Sequence, residues 1–308
     1  MLKSYSRTTL GILPRIREGF ALWRYHSANA SEQVREFLES MGGAQATIER
    51  LLGEDLRGKD IFEIGPGQLV KNARYFGAHN HVVAIDLDKV VEQWDFGAWL
   101  QMLRTNGPLR VGKTLARKML GIDRAFIAEL ERQMPAAHSA NIELRQGDAA
   151  KTGLASGAFD CAISFSVFEH LPEPGAVFRE IARLLKPGGV SFQALHCFTS
   201  DSGAHDPRSY AHERSHYPYW CHLRPQFAQL VATNAYLNRM RISEWKTVIQ
   251  QEYPGAEISE IKSTHPRLLS ELRSLRMAGE LQGFSDEELL TVALTVAWRK
   301  PLIATNSI

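Results

Sequence analysis

Apolar and polar positions follow two rhythms along this chain. Between Ser31 and Leu52 apolar residues recur at helical spacing, with Ser31 standing where an N-cap would. From Lys59 onward the pattern becomes short apolar runs bounded by Gly and Asp: Asp60–Ile64, His81–Ile85, Asn141–Gln146, Phe159–Phe165 and Gly189–Leu195. These read as five strands with helical stretches between most of them. That alternation requires βαβ crossovers and a largely parallel sheet covered on both faces. Ala256–Lys262 and Leu289–Arg299 supply strands six and seven.

Two segments interrupt the rhythm. Lys89–Ala140 is too long for a plain crossover and is expected to hold extra helices, among them Ile122–Gln133. Ser200–Trp245 is a polar, aromatic-rich insertion after strand five. Ligands of open α/β sheets sit outside the carboxyl ends of the strands, so this insertion is expected to roof the site.

Composition narrows the function classes. Lys and Arg number 36 against 34 Asp and Glu, a formal net charge of +2, which gives no global case for nucleic acid. The three cysteines, Cys161, Cys197 and Cys221, form no CxxC pair and point to a reducing compartment. The longest apolar run, Leu289–Trp298, is ten residues, short of the roughly 20 that a membrane helix needs. The basic start, with Lys3, Arg7, Arg15 and Arg17, lacks the apolar core of a secretory signal, so a cytoplasmic protein is expected.

Asp60-Ile-Phe-Glu-Ile-Gly-Pro-Gly-Gln68 is a strand running into a glycine turn. Gly65 permits the turn and Gly67 lets a ligand approach bare backbone. Asp86 ends the second strand in Ala-Ile-Asp-Leu-Asp88, where a carboxylate can accept two hydrogen bonds from a ribose diol. The same arrangement serves a dinucleotide or S-adenosylmethionine. Val70 stands where the dinucleotide fingerprint wants its last glycine, and Glu63 suits an ammonium better than a pyrophosphate.

Three further stretches come in order: Gln146-Gly-Asp-Ala149, Phe159-Asp-Cys-Ala-Ile-Ser-Phe-Ser-Val-Phe-Glu-His-Leu171 and Arg179-Glu-Ile-Ala-Arg-Leu-Leu-Lys-Pro-Gly-Gly-Val190. Here the sequence resembles the class I S-adenosylmethionine-dependent methyltransferases, in particular the small-molecule branch called type 11. The resemblance covers about residues 59–196 and, more weakly, Leu294–Pro301. It implies an α/β, doubly wound, Rossmann-like seven-stranded sheet with an antiparallel last strand. A helical cover over residues 1–57 would precede a methyltransferase domain over 58–308, with insertions at 89–140 and 200–245.

Carried over residue by residue, Glu63, Gly65, Gly67, Asp86, Leu87, Asp148, Ala149, Ser164 and Phe165 become the S-adenosylmethionine site. Glu63 would hold the methionine amine, Asp86 the ribose, and Asp148 with the Ala149 N–H the adenine, while Ser164 and Phe165 border the cofactor. The departure is Leu69, where many relatives have a third glycine. Lys186-Pro-Gly-Gly189 reads as a helix stop and a turn into strand five. Glu169 and His170 would begin the helix after strand four as packing or capping groups.

Two motif matches carry less. Gly107-Pro-Leu-Arg-Val-Gly-Lys-Thr114 fits the phosphate-loop pattern, but Phe96–Thr105 before it reads as helix and Pro108 removes an N–H. The basic residues around it, Arg104, Arg110, Lys113, Arg117 and Lys118, read first as a solvated helix face and second as the place where an anionic acceptor would bind. His212-Glu-Arg-Ser-His216 fits the zinc-protease pattern, but Pro218 follows at once, and although His205 and His222 are candidate third ligands no metal is assigned.

Those histidines have a better use. Methyl transfer to a hydroxyl is an in-line displacement that gains from alignment and from a base. The insertion after strand five offers His196, His205, His212 and His216, and the order of preference for the base is His216, His212, His205. The aromatics Tyr210, Tyr217, Tyr219, Trp220 and Tyr236 suit a lid core or the stacking of a sugar. The segment loosely resembles bacterial methyltransferases associated with polysaccharide synthesis, which favours a small-molecule or glycan hydroxyl as acceptor. The competing readings are a catalytically silent binding protein that keeps the cofactor fold and, disfavoured by Val70, an NAD-dependent oxidoreductase.

Overall fold

Val34, Phe37, Met41, Ala44 and Ile48 recur every three or four residues and form one buried stripe on helix α1, Ala30–Leu52. The structure is a computed structural model that describes residues 29–90, 103, 111, 112, 115, 121–210, 217–233 and 235–302. Helix α1 starts one residue before Ser31, with Asn29 at the N-cap and no side-chain cap bond. The expected Ser31 cap is therefore corrected: the buried stripe, not a hydroxyl, sets where this helix begins. Gly53 closes it in the left-handed conformation at φ 81°.

The sheet order is β3-β2-β1-β4-β5-β7-β6. Strands β1 (Asp60–Ile64), β2 (His81–Asp86), β3 (Asn141–Gln146), β4 (Phe159–Phe165) and β5 (Leu185–His196) are parallel to one another. Strand β7 (Thr291–Arg299) lies antiparallel between β5 and β6 (Glu257–Lys262). The crossovers carry α2 (Lys71–Gly77), α3 (Ile122–Gln133), α4 (Pro174–Leu184) and α5 (Ile242–Glu252); α6 (Pro266–Met277) and α7 (Asp286–Leu290) precede β7.

Side-chain alternation divides the sheet between two cores. Ile61, Val82, Ala84, Cys161 and Ile163 face α1, while Phe62, Ile64, Val83, Ile85 and Ala162 face α4 and α5, where Phe178, Ile181, Trp245 and Ile249 cover them. The central strands are buried nearly end to end, and the edge strands β3 and β6 alternate with exposed positions.

Other boundaries are corrected where tertiary pairing overrides local signals. Lys186-Pro-Gly-Gly189 is not a turn before the strand: α4 ends at Leu184 and β5 begins at Leu185, paired with Phe159 across a register shift before Cys161. A bulge of that kind tolerates Pro187, which has no N–H to donate. Gly188 and Gly189 bond with the Lys300 backbone and so extend the sheet. Leu289 belongs to α7, capped by Ser285 accepting from the Glu288 N–H at 3.0 Å, so β7 starts later than expected. Glu169 and His170 sit in a separate 3-10 turn, Phe168–His170, and do not begin the helix. The match at 212–216 and nearly all of that at 107–114 lie outside the described residues. Among the described residues no helix is long and apolar enough to cross a membrane.

If α1 is integral to the core, Ile48→Ala, which empties a fully buried position facing the sheet, lowers stability by about 2–5 kcal/mol in urea unfolding.

Candidate active site

The carboxyl ends of β1, β2 and β4 and the chain just past β3 carry the predicted cofactor residues. Glu63 is fully buried near the end of β1. Its Oε1 accepts from Asn72 Nδ2 of α2 at 3.3 Å, and its Oε2 is buried without a hydrogen-bond partner. Burial pushes its pKa up to about 8; the Asn72 bond opposes this, and the Asp86 charge adds to it. An orphaned carboxyl oxygen here accepts an ammonium group well, and pairing would restore the charge that burial suppresses. Asn72 was not singled out from the sequence, and only the fold brings it to Glu63.

The two glycines of the loop serve different needs. Both have positive φ, 68° at Gly65 and 63° at Gly67. A Cβ on Gly65 would meet Val167 Cγ2 at 2.5 Å, so the bare backbone there accommodates the turn after β4. A Cβ on Gly67 would meet nothing within 4 Å, which leaves open space over that backbone. Val70 adopts left-handed backbone at φ 53° although it is β-branched and buried, a strained close to the loop.

By alternation Asp86 faces the same side of the sheet as Glu63. Its Oδ1 accepts from the Asp88 N–H at 2.9 Å, which fixes the turn that exposes Leu87. Asp148, just past β3, accepts from the Ala150 N–H at 2.8 Å, and Ala149 is partly buried beside it. Phe165 lies on the Glu63 side, between Phe76 and Phe192. Ser164 is the exception. Its side chain faces the α4–α5 layer with Gln193 and Ser191, and its buried Oγ has no partner. It does not border the loop through its side chain.

The segment after β5 bends back over this edge. Asp206 is its buried anchor, accepting from Arg208 and from the Ala232 N–H. Asn238 ties the far end to the turn after β4, donating through Nδ2 to the carbonyls of Phe168 and Leu171. Trp220, fully buried, donates from Nε1 to the Leu289 carbonyl. Of the three predicted base candidates, His212 and His216 lie outside the described residues. His205 is described: its Nε2 lies 2.8 Å from His196 Nδ1 and 3.9 Å from Glu169 Oε1. Burial, aided by neighbouring histidines, pushes His205 down to about 3 and His196 to about 4. Neighbouring strand ends bring Glu169 and His196 together, because Phe165 pairs with Ala194.

Comparison with known proteins fits this arrangement. A family model described as a methyltransferase domain matches residues 97–192, under a third of the chain. A probable S-adenosylmethionine-dependent methyltransferase of Mycolicibacterium smegmatis is 31% identical over 78 residues, 25% of this chain and 28% of that protein. Residues 97–192 thus match a methyltransferase domain, and this first relative is named as one that uses S-adenosylmethionine. The domain is also similar to a ubiquinone biosynthesis O-methyltransferase of Caulobacter vibrioides, 46% identical over 39 residues, 13% of this chain and 16% of that protein. The chain thus matches under a third of the length of these curated relatives. Among solved structures, the methyltransferase domain is similar to phosphoethanolamine N-methyltransferase 2 of Haemonchus contortus with S-adenosylmethionine, at TM-score 0.47 and 15% identity. That likeness covers 84% of this chain and 52% of that one.

The loop geometry separates two alanine substitutions. Gly67→Ala meets only backbone strain, about 1–2 kcal/mol. Gly65→Ala meets the same strain plus the Val167 clash, and Val167→Ala in the same chain recovers part of the loss. Urea unfolding of the three variants reads the order directly.

Proposed function

We propose that this chain transfers a methyl group from S-adenosylmethionine to a hydroxyl of a small molecule or sugar. The observation that carries the reading is Glu63, a fully buried carboxyl with an unpartnered oxygen, set below a glycine loop with open space over Gly67. Glu63 binds the methionine amine, Asp86 the ribose diol and Asp148 with Ala149 the adenine edge. Leu87 and Phe165 flank the cofactor. When bound, the cofactor supplies a sulfonium-activated methyl group. The name of the ubiquinone biosynthesis relatives supports oxygen as the methylated atom.

The 58–308 unit acts as one catalytic domain, with 200–245 as the lid that selects the acceptor. An anionic acceptor would meet the basic stretch near residues 104–118. Most of the acceleration comes from holding hydroxyl, methyl and sulfur in line. His205, with its pKa pushed down to about 3, is a weak proton acceptor, so a base from this segment falls to His216 or His212. Three free cysteines support a reducing compartment such as the cytoplasm.

Incubation with S-adenosylmethionine and a panel of hydroxylated acceptors should yield S-adenosylhomocysteine and a methylated product in equal amounts. Binding of NADH in place of S-adenosylmethionine would overturn the reading. Asp86→Ala should weaken cofactor binding by about 1.5–3 kcal/mol, the scale of a lost charged hydrogen bond.

The raised pKa of Glu63 gives a second check. With a folded value of about 8 against an ordinary 4.5, Glu63 is protonated near pH 6.5 in the free protein. An ammonium ligand favours the carboxylate, so binding there releases a proton and tightens as pH rises towards 8. Calorimetry in buffers of different ionisation enthalpy measures that proton, and Glu63→Gln abolishes it. The same shift makes the free protein less stable as pH climbs from the ordinary value towards the folded one.

A further inference from the structure

Glu169, His196 and His205 come from three places: the turn after β4, the last residue of β5 and the segment beyond it. One ligand atom from each lies within 4.8 Å of the others. Bonds of 2.0–2.2 Å to a shared ion impose ligand separations of about 3–4 Å, so the two histidines, 2.8 Å apart, must open slightly while the widest spacing closes. We propose that these three side chains bind a single divalent transition-metal ion of the zinc type.

Three observations support the assignment. First, both carboxyl oxygens of Glu169 are buried with no side-chain hydrogen bond, facing only the backbone N–H groups of Glu169 and His196. The residue is 2% exposed, so water does not compensate them. Leaving a carboxyl so placed is costly unless a cation completes it.

Second, the outer nitrogen of His196 has hydroxyl partners of its own. Ser200 Oγ donates its proton to the Cys197 carbonyl at 2.8 Å and so faces His196 Nε2 as an acceptor at 3.4 Å. Ser202 Oγ lies 2.9 Å from the same nitrogen. With Nε2 donating to Ser202, Nδ1 is left to present its lone pair towards His205 Nε2. Metal-bound histidines are held in this way, one nitrogen on the ion and the other donating outward.

Third, the loop is built to deliver His205. Its backbone is left-handed at φ 53°, an uncommon conformation outside glycine. The preceding turn is tight: Gly203 donates to the Ser200 carbonyl and His205 to that of Ser202. A Cβ on Gly203 would fall 2.0 Å from the Phe198 carbonyl oxygen. His170, whose Nδ1 donates to the Tyr236 carbonyl at 2.7 Å, flanks the cluster with Nε2 3.9 Å from Glu169 Oε1. Two histidines and one carboxylate are a set suited to zinc, cobalt and iron(II), and leave room for an exogenous ligand.

The ion's use rests on the methyl-transfer reading. At the carboxyl edge it would take the acceptor's hydroxyl as a ligand and lower its pKa, the proton leaving to water. That removes the need for a strongly basic histidine in the described part of the lid.

The test uses untagged full-length protein, stripped with chelator and titrated with Co2+ and Zn2+. We expect one equivalent of either to bind, with Co2+ giving visible ligand-field bands and Zn2+ bleaching them by displacement. His205→Gln and Glu169→Gln should each abolish the bands, while His138→Ala, on an exposed histidine, leaves them intact. Ser202→Ala should weaken binding by about tenfold, as loss of an outer partner does. Circular dichroism confirms folding; if His205→Gln fails it, Glu169→Gln, nearly isosteric, carries the same test. No Co2+ bands in the wild type, or unchanged bands in the folded ligand variants, overturn the site. S-adenosylhomocysteine titrated into the same samples separates the two readings. Metal uptake without nucleoside binding leaves the site standing and removes the methyl-transfer function; the reverse removes the site alone.

Discussion

The pairing of β1 with β4 at the centre of the sheet is the constraint on which the rest depends. Strand order runs outward in both directions from this pair, so the chain leaving β1 and the chain leaving β4 diverge and open a crevice between them. Gly65 and Val167 meet across that crevice, and their contact sets how closely the two exits approach. The cofactor loop stands on one side and the turn carrying Glu169 on the other. Each predicted binding residue, from whichever strand, takes its position from this one junction.

Two buried carboxyl groups mark the two exits. Glu63 near the end of β1 and Glu169 just after β4 are both held near pKa 8 by burial, and each keeps at least one oxygen without a side-chain partner. Two other buried acids are satisfied: Asp206 by Arg208 and Ala232, Glu288 by Arg241. Polar groups left unsatisfied inside a packed domain lower its stability, and these two stand at the carboxyl edge of the sheet, where ligands are expected. The cost is local, and both groups become favourable once a cation faces them.

The strands were legible because burial on both faces writes itself as continuous apolar runs. Asp60–Ile64, Asn141–Gln146 and Phe159–Phe165 lie where the pattern put them. Boundaries went astray where a neighbour decides the conformation. Pro187 and the following glycines read locally as a turn, yet β4 and the Lys300 backbone draw them into β5. Leu289 reads as strand, but the Ser285 cap and three acids in one turn make it helical. The glycine loop was legible as a motif, whereas the face on which each side chain falls was not; Ser164 lies one residue out of phase with Glu63. The cluster of Glu169, His196 and His205 was the least legible. Its members are separated by 27 and 9 positions in the chain, and nothing local links them before the sheet aligns its strand ends.

The antiparallel position of β7 has a consequence for the order in which the molecule is made. The chain past β5 is fastened to the stretch around α7 and the start of β7: Cys197 donates to the Val292 carbonyl, Thr199 to that of Glu288, and Trp220 to that of Leu289. Those acceptors are synthesised some seventy to ninety-five residues after the groups that need them. A growing polypeptide can therefore pair β1 through β5 and form the glycine loop while the roof above it has no anchor. The glycine-loop half can be assembled on the ribosome, but the segment beyond β5 must wait until the stretch around β7 has emerged.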